Sequence, residues 1–245
     1  LAYSVIFTMN TDAEVKEWRL RHTVIKSDRR FTYEEAQSLI EGADGEYKEE
    51  VNTLWSLASK LREARMKNGA VNFDREEMRF DIDETGKPTR CYFKRSKEAN
   101  KLIEEFMLLA NRTVAESIGK NKKGGKAKTL PYRVHDTPDL TKLETLRDFI
   151  VKFGYKLKTA GTRAAITRSL NTLLTDVSGK KEQKLIESVA LRAMMKAKYT
   201  VHNIGHYGLA FDYYTHFTSP IRRYPDMMVH RLLTKYQEGG RSANE

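Results

Sequence analysis

The chain has 245 residues, of which 40% are hydrophobic, so it is long enough to bury a sizeable core as one large domain or as part of one. A formal net charge of +11 predicts a polyanionic partner, with nucleic acid ahead of an anionic membrane, although a basic protein without such a partner has the same composition. A single cysteine excludes an intrachain disulfide and no apolar run approaches a membrane span, so we expect a cytoplasmic protein that does not associate with membranes.

The first part of the chain is predicted to combine strands with two helices. Alternating apolar residues predict paired strands over residues 2–9 and 17–26. Thr32 and Glu35 have the spacing of a capping box, which predicts a short helix through about residue 40. Apolar residues at helical spacing predict a longer helix over 46–67, and strands over 78–83 and 89–93 flank the turn sequence ETGKP.

The later part of the chain is predicted to be mainly helical. Helices are expected over residues 97–118, 140–153, 162–177, 181–198 and 221–236. The fold class is therefore α+β, with antiparallel strands concentrated in residues 1–95 and helices in residues 96–245.

One low-complexity segment, KNKKGGKAK, occupies residues 120–128 and holds five lysines in nine residues. Such a segment cannot bury itself, so we predict a flexible basic loop. It would attract RNA through counterion release, which makes binding depend on salt. The alternative is a solvated connector between helices.

The stretch YTHFTSPIRRYPDMMVHR, residues 214–231, is the strongest candidate for a functional site. Ser219 precedes Pro220, which fixes its own φ and pushes the preceding residue toward an extended conformation. Arg222 and Arg223 follow, and each guanidinium is a planar charged fork that matches phosphate oxygens. A helix beginning near residue 221 would also direct its first amides at an anion. The stretch therefore predicts a phosphate-binding corner, and the alternative is a surface helix with solvated arginines.

This stretch resembles the signature of the ribonuclease II and ribonuclease R family of processive 3′-to-5′ exoribonucleases. Four further parts of the chain resemble that family in the same order: GAVNF at 69–73, KLIEEFMLLAN at 101–111, YRVHDTP at 132–138, and LRAMMKAKY at 191–199 with NIGHYGLA at 203–210. The resemblance covers nearly the whole chain. It implies that residues 1–245 form the later part of a single RNB-type catalytic domain, from an enzyme that hydrolyses single-stranded RNA to nucleoside 5′-monophosphates.

The resemblance also implies roles for individual residues. Arg222 would contact the scissile phosphate, and Arg223 would neutralise a neighbouring phosphate. Phe73 would stack on a terminal base, and Glu105 would accept a hydrogen bond from a ribose hydroxyl, which favours RNA over DNA. Residue types alone leave alternatives open, since an isolated Phe is often a core residue. Glu105 lies at the edge of an apolar helical stripe and would equally form an ion pair with Arg112 or a similar group.

Further residues of the matching segments are candidates for the same RNA channel: His206, His216, Ser219, His230 and Arg231. Each histidine alone would equally be a packed or surface residue. No histidine pair has the spacing of a zinc site, so we predict no metal ligands from the histidines.

The family's Mg²⁺ ions are held by a run of aspartates near the start of the catalytic domain, and no segment of this chain matches that run. The nearest string, DIDE at residues 81–84, is out of order and on a predicted hairpin. We therefore expect the Mg²⁺ ligands upstream of Leu1, further S1-type and upstream segments in the parent protein, and no activity from this chain alone. The alternatives are a non-catalytic RNA-binding module or degenerate paralogue, and a helical interaction protein whose charge is incidental.

Overall fold

The computed structural model describes residues 1–73, 76–120 and 127–242. These ranges contain seven α-helices and three two-stranded antiparallel sheets, which confirms the α+β class. The strands are β1 (Ala2–Met9), β2 (Val15–Thr23), β3 (Glu76–Ile82), β4 (Pro88–Arg95), β5 (Tyr132–Val134) and β6 (Lys198–Thr200). The helices are α1 (Tyr33–Ile40), α2 (Lys48–Lys67), α3 (Glu98–Gly119), α4 (Leu140–Ile150), α5 (Arg163–Val177), α6 (Gln183–Ala193) and α7 (Tyr224–Gln237). None of these helices is both long and apolar enough to cross a membrane.

The chain opens with a hairpin of β1 and β2, paired from Ala2 with Thr23 to Thr8 with Glu17. The turn between them is closed by the side chain of Asn10, whose carbonyl oxygen accepts the backbone N–H of Glu14 at 2.9 Å. The second strand begins two residues earlier than predicted and ends at Thr23, three residues before the predicted end.

Helix α1 begins at the predicted capping box. The Thr32 hydroxyl accepts the backbone N–H of Glu35 at 3.1 Å, and the Glu35 carboxylate accepts the backbone N–H of Thr32 at 2.7 Å. The helix is tied to α3 by the buried Gln37, whose side-chain oxygen accepts the backbone N–H of Ala99 at 3.0 Å. The local signal and the tertiary contact therefore agree on where α1 lies.

Among the described residues, buried apolar side chains form three clusters, and the two larger ones involve five of the seven helices. The first is built from α4, α5 and α6, where Leu146, Leu170 and Ile186 have no exposed surface. The second joins α3, β5 and α7 through Val114 and Val229 among others. The two larger clusters are linked by the segment from residue 203 to 217, in which Tyr207 packs in the first cluster and Phe217 in the second.

Strands β5 and β6 were not predicted, and they position that segment. The predicted helix over 181–198 ends at Ala193, and Lys198–Thr200 instead pairs with Tyr132–Val134. Isolated bridges then bring His206 beside His135 and Thr215 beside Tyr132. The two strands are three residues long and lie more than 60 residues apart, so no local pattern reveals their pairing.

The hairpin of β3 and β4 presents apolar side chains to solvent. Met78 pairs with Phe93 and Phe80 with Cys91, so these four side chains share one face. Met78, Phe80 and Phe93 are each about half exposed, and the Cys91 thiol is exposed as well.

Most of the predicted basic loop at 120–128 lies outside the described residues, which omit 121–126. Its two ends are described. Lys120 forms an ion pair with Glu116 at 3.1 Å, and Lys128 lies over the ring of Tyr236 at 4.8 Å from its centre. The flexibility of the loop stays a prediction.

Candidate functional site

The phosphate-binding corner predicted at residues 219–223 is a turn that precedes a helix. The carbonyl oxygen of Ser219 accepts the backbone N–H groups of Arg222 at 3.3 Å and Arg223 at 3.0 Å. Helix α7 begins at Tyr224 rather than near residue 221, because Pro225, which lacks an N–H group, occupies its first turn. The expectation that helix amides lie at residue 221 was therefore wrong, and both arginines lie before the helix.

A buried carboxylate, Asp226, closes this turn. One of its oxygens, Oδ1, accepts the backbone N–H of Ser219 at 2.7 Å and a guanidinium N–H of Arg223 at 2.8 Å. Asp226 has no exposed surface, and its second oxygen, like Nε of Arg223, has no hydrogen-bond partner among the residues the structure describes. Part of the Arg223 guanidinium is thus hydrogen-bonded to Asp226 within the protein. Sequence reasoning missed Asp226, although its position three residues after Arg223 was a usable signal.

Arg222 differs from Arg223 in its surroundings. Its side chain is exposed and forms no ion pair within the described part of the chain. Its charge nevertheless reaches His216, where it contributes to lowering the pKa of that imidazole. Arg222 therefore offers a guanidinium to solvent at the tip of a turn that Asp226 holds in place.

A row of five aromatic and imidazole rings, which we call the ring row, leads away from this turn. It consists of His135, His206, Tyr214, His216 and Tyr199. Successive ring centres lie 5.0, 5.3, 5.5 and 5.6 Å apart, and each pair meets edge to face. The Tyr199 hydroxyl and Nδ1 of His216 share a hydrogen bond of 2.6 Å. The structure thus brings together two predicted histidines with three rings that were not predicted.

The histidines of the ring row are neutral at neutral pH. Burial, followed by the neighbouring His135, lowers the pKa of His206 to about 3. Burial, followed by the charge of Arg223, lowers the pKa of His216 to about 4. Nδ1 of His206 accepts the backbone N–H of Leu209 at 3.2 Å, so the neutral ring carries its proton on Nε2. The row therefore acts by packing and hydrogen bonding, and the arginines supply the positive charge.

Gly208 allows the first two rings to meet. A Cβ at this position would lie 2.9 Å from Nδ1 of His135, which accepts the Gly208 N–H at 3.0 Å. Glycine permits a close approach of the backbone to another group, and at Gly208 that group is the imidazole of His135.

Phe73 lies in a groove of about 1090 Å³ that also reaches His135 and His206. Its ring is partly buried against the core of α4, α5 and α6. Phe73 thus packs on the core, as one of the two sequence-based alternatives predicted, and its stacking on a base stays a prediction.

Glu105 lies in a buried ion pair. Its side chain is 3% exposed and accepts two hydrogen bonds from the guanidinium of Arg65, which is 5% exposed; the bond from Nε measures 3.2 Å. Arg62 lies 3.7 Å from the same carboxylate, and Glu104 lies 3.5 Å from Arg65. The predicted partner Arg112 instead lies over the ring of Phe211, 5.4 Å from its centre. A ribose contact by Glu105 stays a prediction, and its observed partner is Arg65.

The structure does not bring His230 and Arg231 to the ring row. Nε2 of His230 donates to the carbonyl oxygen of Phe217 at 2.8 Å, and its ring packs between Phe217 and Tyr3. Arg231 is exposed on α7. His230 is thus engaged in the packing of α7 against β1.

The described residues do not fit a Mg²⁺ site. Within residues 1–73, 76–120 and 127–242, no group of three or more His, Cys, Asp or Glu side chains is placed to hold a metal ion. In the DIDE string, the Asp83 carboxylate instead closes the hairpin turn by accepting the backbone N–H groups of Thr85 and Lys87, each at 2.9 Å.

Comparison with known families gives a match over nearly the whole chain. The model of the RNB domain matches residues 1–239. Ribonuclease R of Aquifex aeolicus is 37% identical over 245 residues, which cover 98% of this chain and 34% of that protein. DIS3-like exonuclease 2 of Schizosaccharomyces pombe is 35% identical over 259 residues, which cover 96% of this chain and 27% of that protein.

A solved structure shares the fold. Mycoplasma genitalium RNase R in complex with ribose methylated single-stranded RNA matches with a TM-score of 0.82 and 27% sequence identity, covering 96% of this chain and 37% of that chain. This chain therefore spans about a third of the length of the relatives that it matches.

Proposed function

The chain belongs to the RNB domain family, and on that premise we propose that it is the RNA-handling part of a 3′-to-5′ exoribonuclease. The parent enzyme hydrolyses single-stranded RNA and releases nucleoside 5′-monophosphates. The resemblance of the chain to ribonuclease R proteins supports the reaction class, and the net charge of +11 supports a polyanionic substrate.

The observation that carries this proposal is the exposed Arg222, whose charge reaches His216 of the ring row. A phosphate at this turn meets a guanidinium that no carboxylate of the described residues neutralises. The rings of His216 and Tyr199 hydrogen-bond to each other, and the guanidinium of Arg133 lies over the Tyr199 ring, so Arg133 is a further cation near these rings. In the proposed reaction, Arg222 stabilises negative charge that develops on the scissile phosphate, because a fixed cation gains most where charge increases.

The other residues take supporting roles in the proposed complex. Phe73 stacks on a base near the 3′ end of the RNA. Glu105 accepts a hydrogen bond from a ribose hydroxyl when Arg65 releases one of its hydrogen bonds to this carboxylate. Ser219 and Arg223 hold the turn and contact a neighbouring phosphate. The remaining candidates for RNA contact are His206, His216, His230 and Arg231.

The metal chemistry of the proposed enzyme is assigned to residues outside this chain. Mg²⁺ would activate water, and its carboxylate ligands are expected in an upstream segment of the parent protein. An S1-type segment is expected as a separate part of that protein. The assignment of residues 1–245 to the later part of one catalytic domain, and a cytoplasmic location, stay predictions. We expect the purified chain to release no mononucleotides from RNA in Mg²⁺, and processive release by it would contradict this expectation.

Binding of a 5′-labelled single-stranded RNA across a salt series tests the proposed function. We expect the affinity to fall steeply with salt, and Arg222→Gln to reduce the slope by about 0.7, the value of one phosphate contact on a single strand. Arg30→Gln, which removes an exposed arginine elsewhere, is the matched control and leaves the slope unchanged. An equal effect of both variants would refute the assignment of Arg222.

A non-catalytic RNA-binding module is the second candidate, and the absence of a carboxylate cluster from the described residues favours it. The parent protein separates the two functions. In an enzyme, Arg222→Ala lowers turnover far more than RNA affinity, whereas a binding module releases no mononucleotides. A failure to bind RNA at all would favour an interaction protein.

A further inference from the structure

Arg133, on strand β5, lies beside the ring row. Its neighbours in the strand, Tyr132 and Val134, are buried in the second cluster, so the side chain of Arg133 lies on the opposite face of the strand. The backbone N–H of Arg133 donates to the carbonyl oxygen of Tyr214 at 2.9 Å, which fixes the strand beside residues 214–216. The side chain of Arg133 therefore extends from a backbone position that is held next to the ring row.

The guanidinium of Arg133 packs on an uncharged partner. It lies over the ring of Tyr199, its cross-strand neighbour on β6, with the guanidinium carbon 4.7 Å from the ring centre. Tyr199 is held in turn by the hydrogen bond of 2.6 Å between its hydroxyl and Nδ1 of His216. No carboxylate of the described residues lies within ion-pair distance of Arg133. The aromatic ring thus orients the guanidinium without neutralising its charge.

The charges that act on His216 do not balance. Burial is the main cause of its low pKa, which the charges of Arg223, Arg133 and Arg222 lower further. The carboxylate of Asp226 acts in the opposite direction, so three arginines minus one carboxylate leave an excess of two positive charges. Asp226 is paired with Arg223 at 2.8 Å, and the excess therefore belongs to Arg133 and Arg222. These two guanidiniums repel each other, and a bound anion would relieve that repulsion.

We propose that Arg133 is a second phosphate-binding residue of the RNA site, which contacts another phosphate of the strand whose scissile phosphate Arg222 contacts. This inference rests on the proposed function and adds to it a cation from a different part of the chain. A guanidinium binds two phosphate oxygens through its planar fork of N–H groups, and the ring of Tyr199 holds that plane in a fixed orientation. Because the charge of Arg223 is balanced by Asp226, Arg133 supplies the second unbalanced charge.

Binding of a 5′-labelled single-stranded RNA across a salt series tests this inference. Arg133→Gln should reduce the salt slope by about 0.7, and Arg133→Gln combined with Arg222→Gln should reduce it by about 1.4, because each removes one phosphate contact. Arg133→Lys keeps the charge and should keep the slope. The matched control is Arg90→Gln, which removes a strand arginine that also lies over a tyrosine ring, that of Tyr92 at 5.6 Å, but on the hairpin of β3 and β4. This control should leave the slope unchanged.

Circular dichroism and urea unfolding show whether each variant is folded. If Arg133→Gln has lost stability, Arg133→Met takes its place, because a methionine retains the aliphatic stem beside Tyr199 and also removes the charge. The expected decrease of the slope, about 0.7, is the same for both variants.

The outcomes distinguish this inference from the proposed function. If the unaltered chain does not bind RNA, the proposed function and the inference about Arg133 both fail. If Arg222→Gln lowers the slope but Arg133→Gln changes it no more than Arg90→Gln does, the proposed function stands and the inference about Arg133 is overturned. It is also overturned if Arg133→Lys lowers the slope as much as Arg133→Gln, because the shape of the side chain rather than its charge would then determine binding.

Discussion

Replacing Glu105 by glutamine removes the negative charge from a buried ion pair while preserving the shape of the side chain. Arg65 and Glu105 are 5% and 3% exposed, so the substitution leaves a buried guanidinium with weaker compensation. Breaking a buried pair from one side costs about 3 to 5 kcal/mol. Glu104, 3.5 Å from Arg65 and 46% exposed, retains part of the attraction. We therefore expect Glu105→Gln to lower the free energy of unfolding by about 3 kcal/mol.

Urea unfolding followed by circular dichroism measures this loss, with Glu104→Gln as the control. Glu104 is half exposed, and its substitution should cost less than about 1 kcal/mol. If Glu105→Gln lowers the free energy of unfolding no more than Glu104→Gln does, the ion pair of Arg65 and Glu105 does not stabilise the fold as its burial implies. A combined Arg65→Met and Glu105→Leu variant should recover stability to within about 1 kcal/mol, because no charge remains buried.

The combined variant also tests the ribose contact. If Glu105 accepts from a 2′-hydroxyl, the folded double variant loses its preference for RNA over DNA of the same sequence. If the preference is unchanged, Glu105 has a structural role only. Competition between labelled RNA and unlabelled DNA measures the preference without requiring catalysis.

Two further predictions concern the arginine turn and the ring row. Asp226→Asn should lower the free energy of unfolding by about 2 to 3 kcal/mol, because the ion pair of this buried carboxylate with Arg223 is lost. Urea unfolding measures the change, and a decrease of less than about 0.5 kcal/mol would contradict the prediction. In the folded chain the pKa of His206 is about 3, whereas in the unfolded chain it is about 6.5. Between about pH 6.5 and pH 3 the unfolded chain therefore binds a proton at His206 that the folded chain does not bind. The free energy of unfolding thus falls as the pH falls through this range. The contribution is at most about 1.4 kcal/mol per pH unit, and unfolding at several pH values should give a flatter curve for His206→Gln; equal curves would refute the assignment.

The parts of the fold that the sequence predicted are those with local signals. The capping box of Thr32 and Glu35 begins α1 where expected, and the ETGKP turn joins β3 to β4. The predicted start of α7 near residue 221 is too early. The prediction took Pro220 as the start signal, whereas Pro225 lies in the first turn of the observed helix. The pairing of β5 with β6 joins two three-residue segments that no periodicity identifies.

The sequence named candidate residues of the site, but it did not identify the side chains that these residues contact in the structure. Arg222 is exposed and lies at a turn, outside the helix that was predicted to begin near residue 221. Asp226 was not recognised, because a carboxylate on a helix usually faces solvent. The partner of Glu105 lies 40 residues away on another helix, and only the packing of α2 against α3 identifies it as Arg65.

The exposed thiol of Cys91 has a practical consequence. It is the single cysteine of the chain and lies on the hairpin of β3 and β4. A maleimide dye therefore attaches at one known position without prior mutagenesis, and it reports on the surroundings of the hairpin rather than on the ring row. The same thiol lets two copies of the chain join under oxidising conditions, so solution measurements require a reductant or a Cys91→Ser variant.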